Sequence, residues 1–191
     1  MENKLIVIQG YLAAGKSTFA RQLSTALKVP CFVKDTFKSA LCESIELASR
    51  EESSRFSAVT FDGLLYIAEQ MLEAGQPLIL EGNFTPPGVK KKDEAGALQA
   101  LLRRYHCRSL AFRFTGDTRV LFQRFTAREN SPERGKANTM GVPFSQADFD
   151  GWCHNLDGFT LGGETIEIDT TDFSAVDFEQ YLTSARRFLN S

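Results

Sequence analysis

An α/β architecture, with a parallel sheet covered by helices on both faces, follows from three features of the 191-residue chain. Short continuous apolar runs recur along it, as strands buried on both faces require. Segments of helical period lie between them. The two alternate at the spacing of right-handed β-α-β units.

Leu5, Ile6, Val7 and Ile8 form the first apolar run, which ends at a glycine. From Lys16 the period turns helical, with Phe19, Leu23, Ala26 and Leu27 on one side, and Pro30 stops that helix. Cys31, Phe32 and Val33 make a second strand, after which Asp35 can cap a helix over 36–48. A polar stretch, 49–54, is expected to separate it from another helix ending near Ala74, with Gly75 as its C-terminal stop. Pro77 to Leu80 reads as the third strand, leading through Glu81, Gly82 and Asn83 into a turn-rich loop at Pro86, Pro87 and Gly88. Residues 93–105 are helix-like. Residues 109–115 alternate Leu110, Phe112 and Phe114 with Ala111 and Arg113, a fourth strand, and Gly116 and Asp117 then open a helix carrying Leu121 and Phe125. Residues 130–145 lack periodicity and contain Pro132, Gly135, Gly141 and Pro143, so they read as a small lid. Residues 164–168 supply a fifth strand and 177–189 a closing helix. The aromatic stripe of Phe112, Phe114, Phe122 and Phe125 reads as core.

Composition narrows the function classes. With 42% hydrophobic and 24% charged residues, the chain has the balance of a folded protein, and its length suits one domain over 1–191. Its 22 basic residues against 24 acidic ones, a net charge of −2, give no global reason to hold a polyanion, so nucleic acid is not an expected partner. Cys31, Cys42, Cys107 and Cys153 form no C-x-x-C pair and read as reduced thiols. His106-Cys107 and Cys153-His154 place adjacent ligands pointing apart, which argues against zinc. No apolar stretch approaches the roughly 18 residues of a membrane span, so a cytoplasmic protein without a membrane partner is expected. Nothing in the sequence sets the oligomeric state.

The chemistry concentrates at Gly10-Tyr11-Leu12-Ala13-Ala14-Gly15-Lys16-Ser17, a full G-x-x-x-x-G-K-[ST] match between a strand and a helix. Glycines at Gly10 and Gly15 let the backbone curl, so that successive N–H groups from Ala13 and Ala14 to Thr18 face an anion at a helix N-terminus. Lys16 is placed to reach the β- and γ-phosphates and Ser17 to ligate Mg²⁺, which makes ATP and Mg²⁺ the expected cofactors. A chance match arises in about 1% of chains of this length at average composition, so the pattern outweighs coincidence. No N-K-x-D, H-R-D or D-F-G segment accompanies it, which leaves out guanine-nucleotide switches and protein kinases.

With this loop, Asp35, Glu81, the Arg124/Arg128 helix and Asp169 in that order, the chain resembles the small P-loop kinases related to nucleoside-monophosphate kinases. Gluconate and shikimate kinases, the chloramphenicol phosphotransferases and the zeta toxins belong to that group. The resemblance implies a three-layer P-loop NTPase fold with a five-stranded parallel sheet, and transfer of the γ-phosphoryl group of ATP to a hydroxyl of a small molecule. It casts Asp35, in Lys34-Asp35-Thr36-Phe37, as the base for the acceptor hydroxyl. Asn83 would meet the acceptor, and Glu81, standing where related strands more often carry a metal-binding Asp, would meet either the acceptor or the outer shell of the metal. Arg124, together with Thr170 after the last strand, would lie against the adenine. Arg128, with Arg134 from the lid, would grip the phosphates. A polynucleotide 5′-hydroxyl kinase and a nucleotide-responsive module without phosphotransfer are the alternatives.

Overall fold

A computed structural model describes residues 2–43, 45, 50–129 and 142–191. All strands of its sheet are parallel: β1 (Asn3–Gly10), β2 (Cys31–Val33), β3 (Leu78–Glu81), β4 (Cys107–Thr115) and β5 (Glu164–Asp169) stand in the order β2-β3-β1-β4-β5. This is the α/β P-loop NTPase fold. The helices are α1 (Lys16–Leu27), α2 (Lys34–Leu41), α3 (Arg50–Glu73), α4 (Glu94–Arg104), α5 (Thr118–Arg128), α6 (Gln146–His154) and α7 (Phe178–Asn190).

Side-chain alternation along the strands builds two cores. Ile6, Ile8, Ile79, Leu110, Phe112, Phe114 and Ile168 face one way, against Phe19, Leu23, Phe125, Phe149 and Phe188 from the helices. Leu5, Val7, Leu78 and Leu80 face the other way, against Phe61, Leu64, Leu98 and Leu101. Burying a side chain of this size contributes about 1.5–3 kcal/mol, which is why β1 from Leu5 to Ile8 and β3 from Leu78 to Leu80 carry no polar residue. Phe112, Phe114 and Phe125 are core, and Phe122 is partly buried against them.

Four local expectations change. Asp35 does not cap α2: the helix starts one residue earlier, at Lys34, with Val33 as N-cap, so Asp35 occupies its first turn. The described part of α2 ends at Leu41, and residues 44 and 46–49 lie outside the description. The polar stretch before α3 is not a separator, because α3 is already helical from Arg50. A helix, α6, follows the 130–145 segment; Ser145 and Asp148 open it with a reciprocal capping box. Of the lid segment itself, residues 130–141 fall outside the described residues.

Sheet order sets the site. Val33, Glu81 and Ile8 stand side by side in register, so the carboxyl ends of β2, β3 and β1 open onto one edge. Asp35, Glu81, Asn83 and the Gly10–Ser17 loop leave the sheet there together.

Candidate active site

β1 turns into α1 through a tight curl. Gly10 has φ 124°, and a Cβ on it would lie 2.1 Å from the Phe114 carbonyl oxygen, so only glycine lets β4 come this close. Ala13 (φ 59°) and Gly15 (φ 83°) complete the turn in the left-handed region. Gly15 is the N-cap of α1 and has no side chain to satisfy the first-turn amides, leaving them for an anion at the positive end of the helix. Lys16 is buried, and its Nζ donates to the Tyr11 carbonyl oxygen at 2.6 Å, folded back over the loop. The Ser17 hydroxyl donates to Glu81 Oε2 at 2.9 Å. Curled amides, an ammonium and a hydroxyl-carboxylate pair of hard oxygens suit a polyphosphate with Mg²⁺.

Burial dominates the electrostatics here. It lowers the Lys16 ammonium against the pull of Glu81 and Asp35, and the Arg128 charge lowers it further. It raises Glu81 to about 7, against the attraction of Lys16 and with the repulsion of Asp35 added. A low-dielectric pocket therefore pushes both members toward neutrality, the environment in which a bound anion and cation interact most strongly.

On the β2–β3 side, Asp35 is exposed at the start of α2, with its field reaching Lys16, Glu81, Lys34 and Lys38. Asn83 turns a buried Oδ1 that has no hydrogen-bond partner among the described residues. On the β4–β5 side, Arg124 donates to the Thr170 carbonyl at 2.6 Å and the Thr171 carbonyl at 2.8 Å, and its guanidinium stacks 4.1 Å from the Phe173 ring centroid. Thr170 is buried, and its hydroxyl is spent on the Thr115 carbonyl. The Phe173 ring lies against Gly15, where an added Cβ would meet it at 2.6 Å.

A family model described as an AAA domain matches residues 5–143. The chain belongs to that AAA domain family. No curated protein matches the chain. Among solved structures, a candidate kinase from Chloroflexus aurantiacus is 26% identical with a TM-score of 0.87, covering 98% of this chain and 99% of its own. A shikimate kinase from Bacteroides thetaiotaomicron (TM-score 0.59, 14% identity, 98% of each chain) shares the fold. So does a gluconokinase from Sinorhizobium meliloti (TM-score 0.52, 16% identity, 98% of this chain and 94% of that one). The AAA domain thus has a kinase-like P-loop architecture.

Of the residues singled out in the sequence, Gly10, Ala13, Ala14, Gly15, Lys16, Ser17 and Thr18 lie in the curl and the first turn of α1. Asp35, Glu81 and Asn83 flank it on one side, and Arg124 and Thr170 meet on the other. Arg128 is exposed at the end of α5, its charge felt at Lys16. Arg134 lies outside the described residues. Three contacts in this AAA domain had no local sequence signal. Phe173 backs Arg124 from a 3₁₀ turn, Phe173–Ala175. Tyr11 donates to Asp157, which also accepts from Arg113 at 2.8 Å. Lys34 is buried in an ion pair with Glu94. Among the described residues no group of three or more His, Cys, Asp and Glu is placed to hold a metal ion. No described helix is long and apolar enough to cross a membrane.

Proposed function

We propose that this AAA domain is an ATP-dependent kinase that transfers the γ-phosphoryl group to a hydroxyl of a small molecule, with Mg²⁺ as cofactor. The observation that carries the reading is the shared edge of β1, β2 and β3. There a phosphate-binding curl, a buried lysine and an accessible carboxylate converge. When bound, ATP-Mg²⁺ supplies the transferable phosphoryl group and neutralises its charge.

The chain's residues divide the remaining work. The amides from Ala13 to Thr18 and the Lys16 ammonium hold the phosphate chain, with Lys16 exchanging the Tyr11 carbonyl for phosphate oxygen. Ser17 is the metal-side hydroxyl. Asp35 receives the proton of the acceptor hydroxyl, and Glu81 and Asn83 orient the acceptor, the unpartnered Asn83 Oδ1 accepting from a second hydroxyl. Arg124, tied to Thr170, stands on the nucleoside side. Arg128 and Arg134 oppose the charge that builds on the transferred group, a role worth ~10³–10⁵ in rate where one arginine supplies it.

ADP release from MgATP, measured against a panel of hydroxylated metabolites that includes gluconate and shikimate, tests the proposal. Acceptor-dependent release, with a product heavier by one phosphoryl group in mass spectrometry, is expected. ATP binding without acceptor-dependent release across the panel would refute it.

A further inference from the structure

Lys34 immediately precedes the proposed base and takes no part in the site's chemistry, yet it is almost fully buried. Its side chain is 4% exposed and that of its partner Glu94 is 1% exposed. The ammonium lies over the rings of Phe61 and Phe84, at 5.3 and 5.7 Å from their centroids, and donates to Glu94 Oε1. Gly82 makes room for this passage, because a Cβ there would stand 3.0 Å from Lys34 Cβ. The other carboxylate oxygen of Glu94 accepts from the Thr85 amide at 3.0 Å, the Thr85 hydroxyl at 3.3 Å and Lys90 Nζ at 3.5 Å. One carboxylate thus ties the start of α2 to the loop that leaves β3.

We propose that the Lys34–Glu94 ion pair is the positioning device of the acceptor half-site, setting Asp35 and Asn83 at a fixed separation. This rests on the kinase reading for its catalytic consequence but not for its structural one. Asp35 is bonded through the chain to Lys34, and Asn83 lies two residues from Thr85, so each reacting group is one short lever from the pair. Two charges taken out of water are a poor source of stability, since apolar residues of similar size often serve as well. The network makes better sense as a device for direction, because a carboxylate satisfied by four donors has one orientation.

An apolar replacement separates the two roles. The double variant Lys34→Met/Glu94→Met should lower the melting temperature by about 5–10 °C, because it leaves the buried Thr85 amide and hydroxyl without their acceptor. Amide hydrogen exchange should quicken about tenfold or more in residues 35–38 and at Asn83 and Phe84, while residues 16–20 in α1 exchange as before. Glu94→Gln, which keeps the shape and loses the charge, should show the same local pattern if the double variant folds poorly. With an acceptor from the panel, transfer should fall about 10- to 100-fold in kcat while the MgATP dissociation constant stays within twofold. Lys34→Arg should recover part of that loss. Parental exchange at 35–38 and 83–84 in both Glu94 variants overturns the proposal, as does quickened exchange spread evenly through α1 and α4. If no acceptor is phosphorylated, the kinase reading fails by itself and the exchange measurement still decides this one.

Discussion

Burial raises the Glu81 carboxyl to about 7 from an ordinary 4.5 because the end of β3 is dry and the Lys16 charge only partly compensates. The folded protein therefore holds this proton more tightly than the unfolded chain does. Stability from this group is fully present below about pH 4.5 and is lost as pH rises to about 7, by about 3 kcal/mol at the upper end. Glu81→Gln should flatten the pH dependence of urea unfolding across that window; an unchanged slope would show that Glu81 ionises freely in the folded protein. Gly10→Ala tests the curl itself. The obstacle to its Cβ is the backbone of β4, which cannot rotate away, so unfolding free energy should drop by about 2 kcal/mol or more. At the reaction, Asp35→Asn should retain MgATP binding by calorimetry and lose transfer, whereas Lys16→Ala should lose both.

Among elements, the join between α5 and the exit of β5 is the most specific. Arg124 reaches two consecutive carbonyls and a ring there, so one helix residue holds the 170–173 loop, the nucleoside side in the proposed reading. Charged hydrogen bonds contribute about 1.5–3 kcal/mol and an exposed cation–π contact about 0.5–1 kcal/mol. Arg124→Ala should therefore free the 170–173 loop and weaken MgATP binding about tenfold, with α5 kept in place by Leu121 and Phe125. Wild-type affinity in calorimetry would remove Arg124 from the nucleotide site. The start of α2 shows how an element boundary escapes local reading. Asp35 has the chemistry of a cap, but burial of Lys34 against Glu94 draws the helix one residue earlier and leaves Asp35 exposed in the first turn.

For the whole molecule, a ligand that binds only the folded state stabilises it by mass action. At a hundredfold excess over its dissociation constant MgATP adds about 2.7 kcal/mol, a rise in melting temperature of roughly 5–10 °C for a chain of this size. Differential scanning calorimetry should show that rise in the parent and none in Lys16→Ala. The net charge of −2 predicts that oligonucleotides are not retained in filter binding even at low salt, where attraction to a basic channel would be strongest.

The strand positions, most of the helices and the Gly10–Ser17 curl were legible because each is written within a few neighbouring residues, whereas α6 and the ends of α2 and α3 were not. Apolar runs need only local alternation, and the Gly10–Ser17 spacing needs only a curl before a helix. What the tertiary structure alone decided are pairings across long separations: Lys34 with Glu94 over 60 residues, and Tyr11 with Asp157 over 146. Those partners meet because β3 and β1 lie between β2 and β4 and bring distant loops to one edge. A periodicity records which face of an element is apolar, whereas burying a charge requires a partner whose identity only the packed sheet selects.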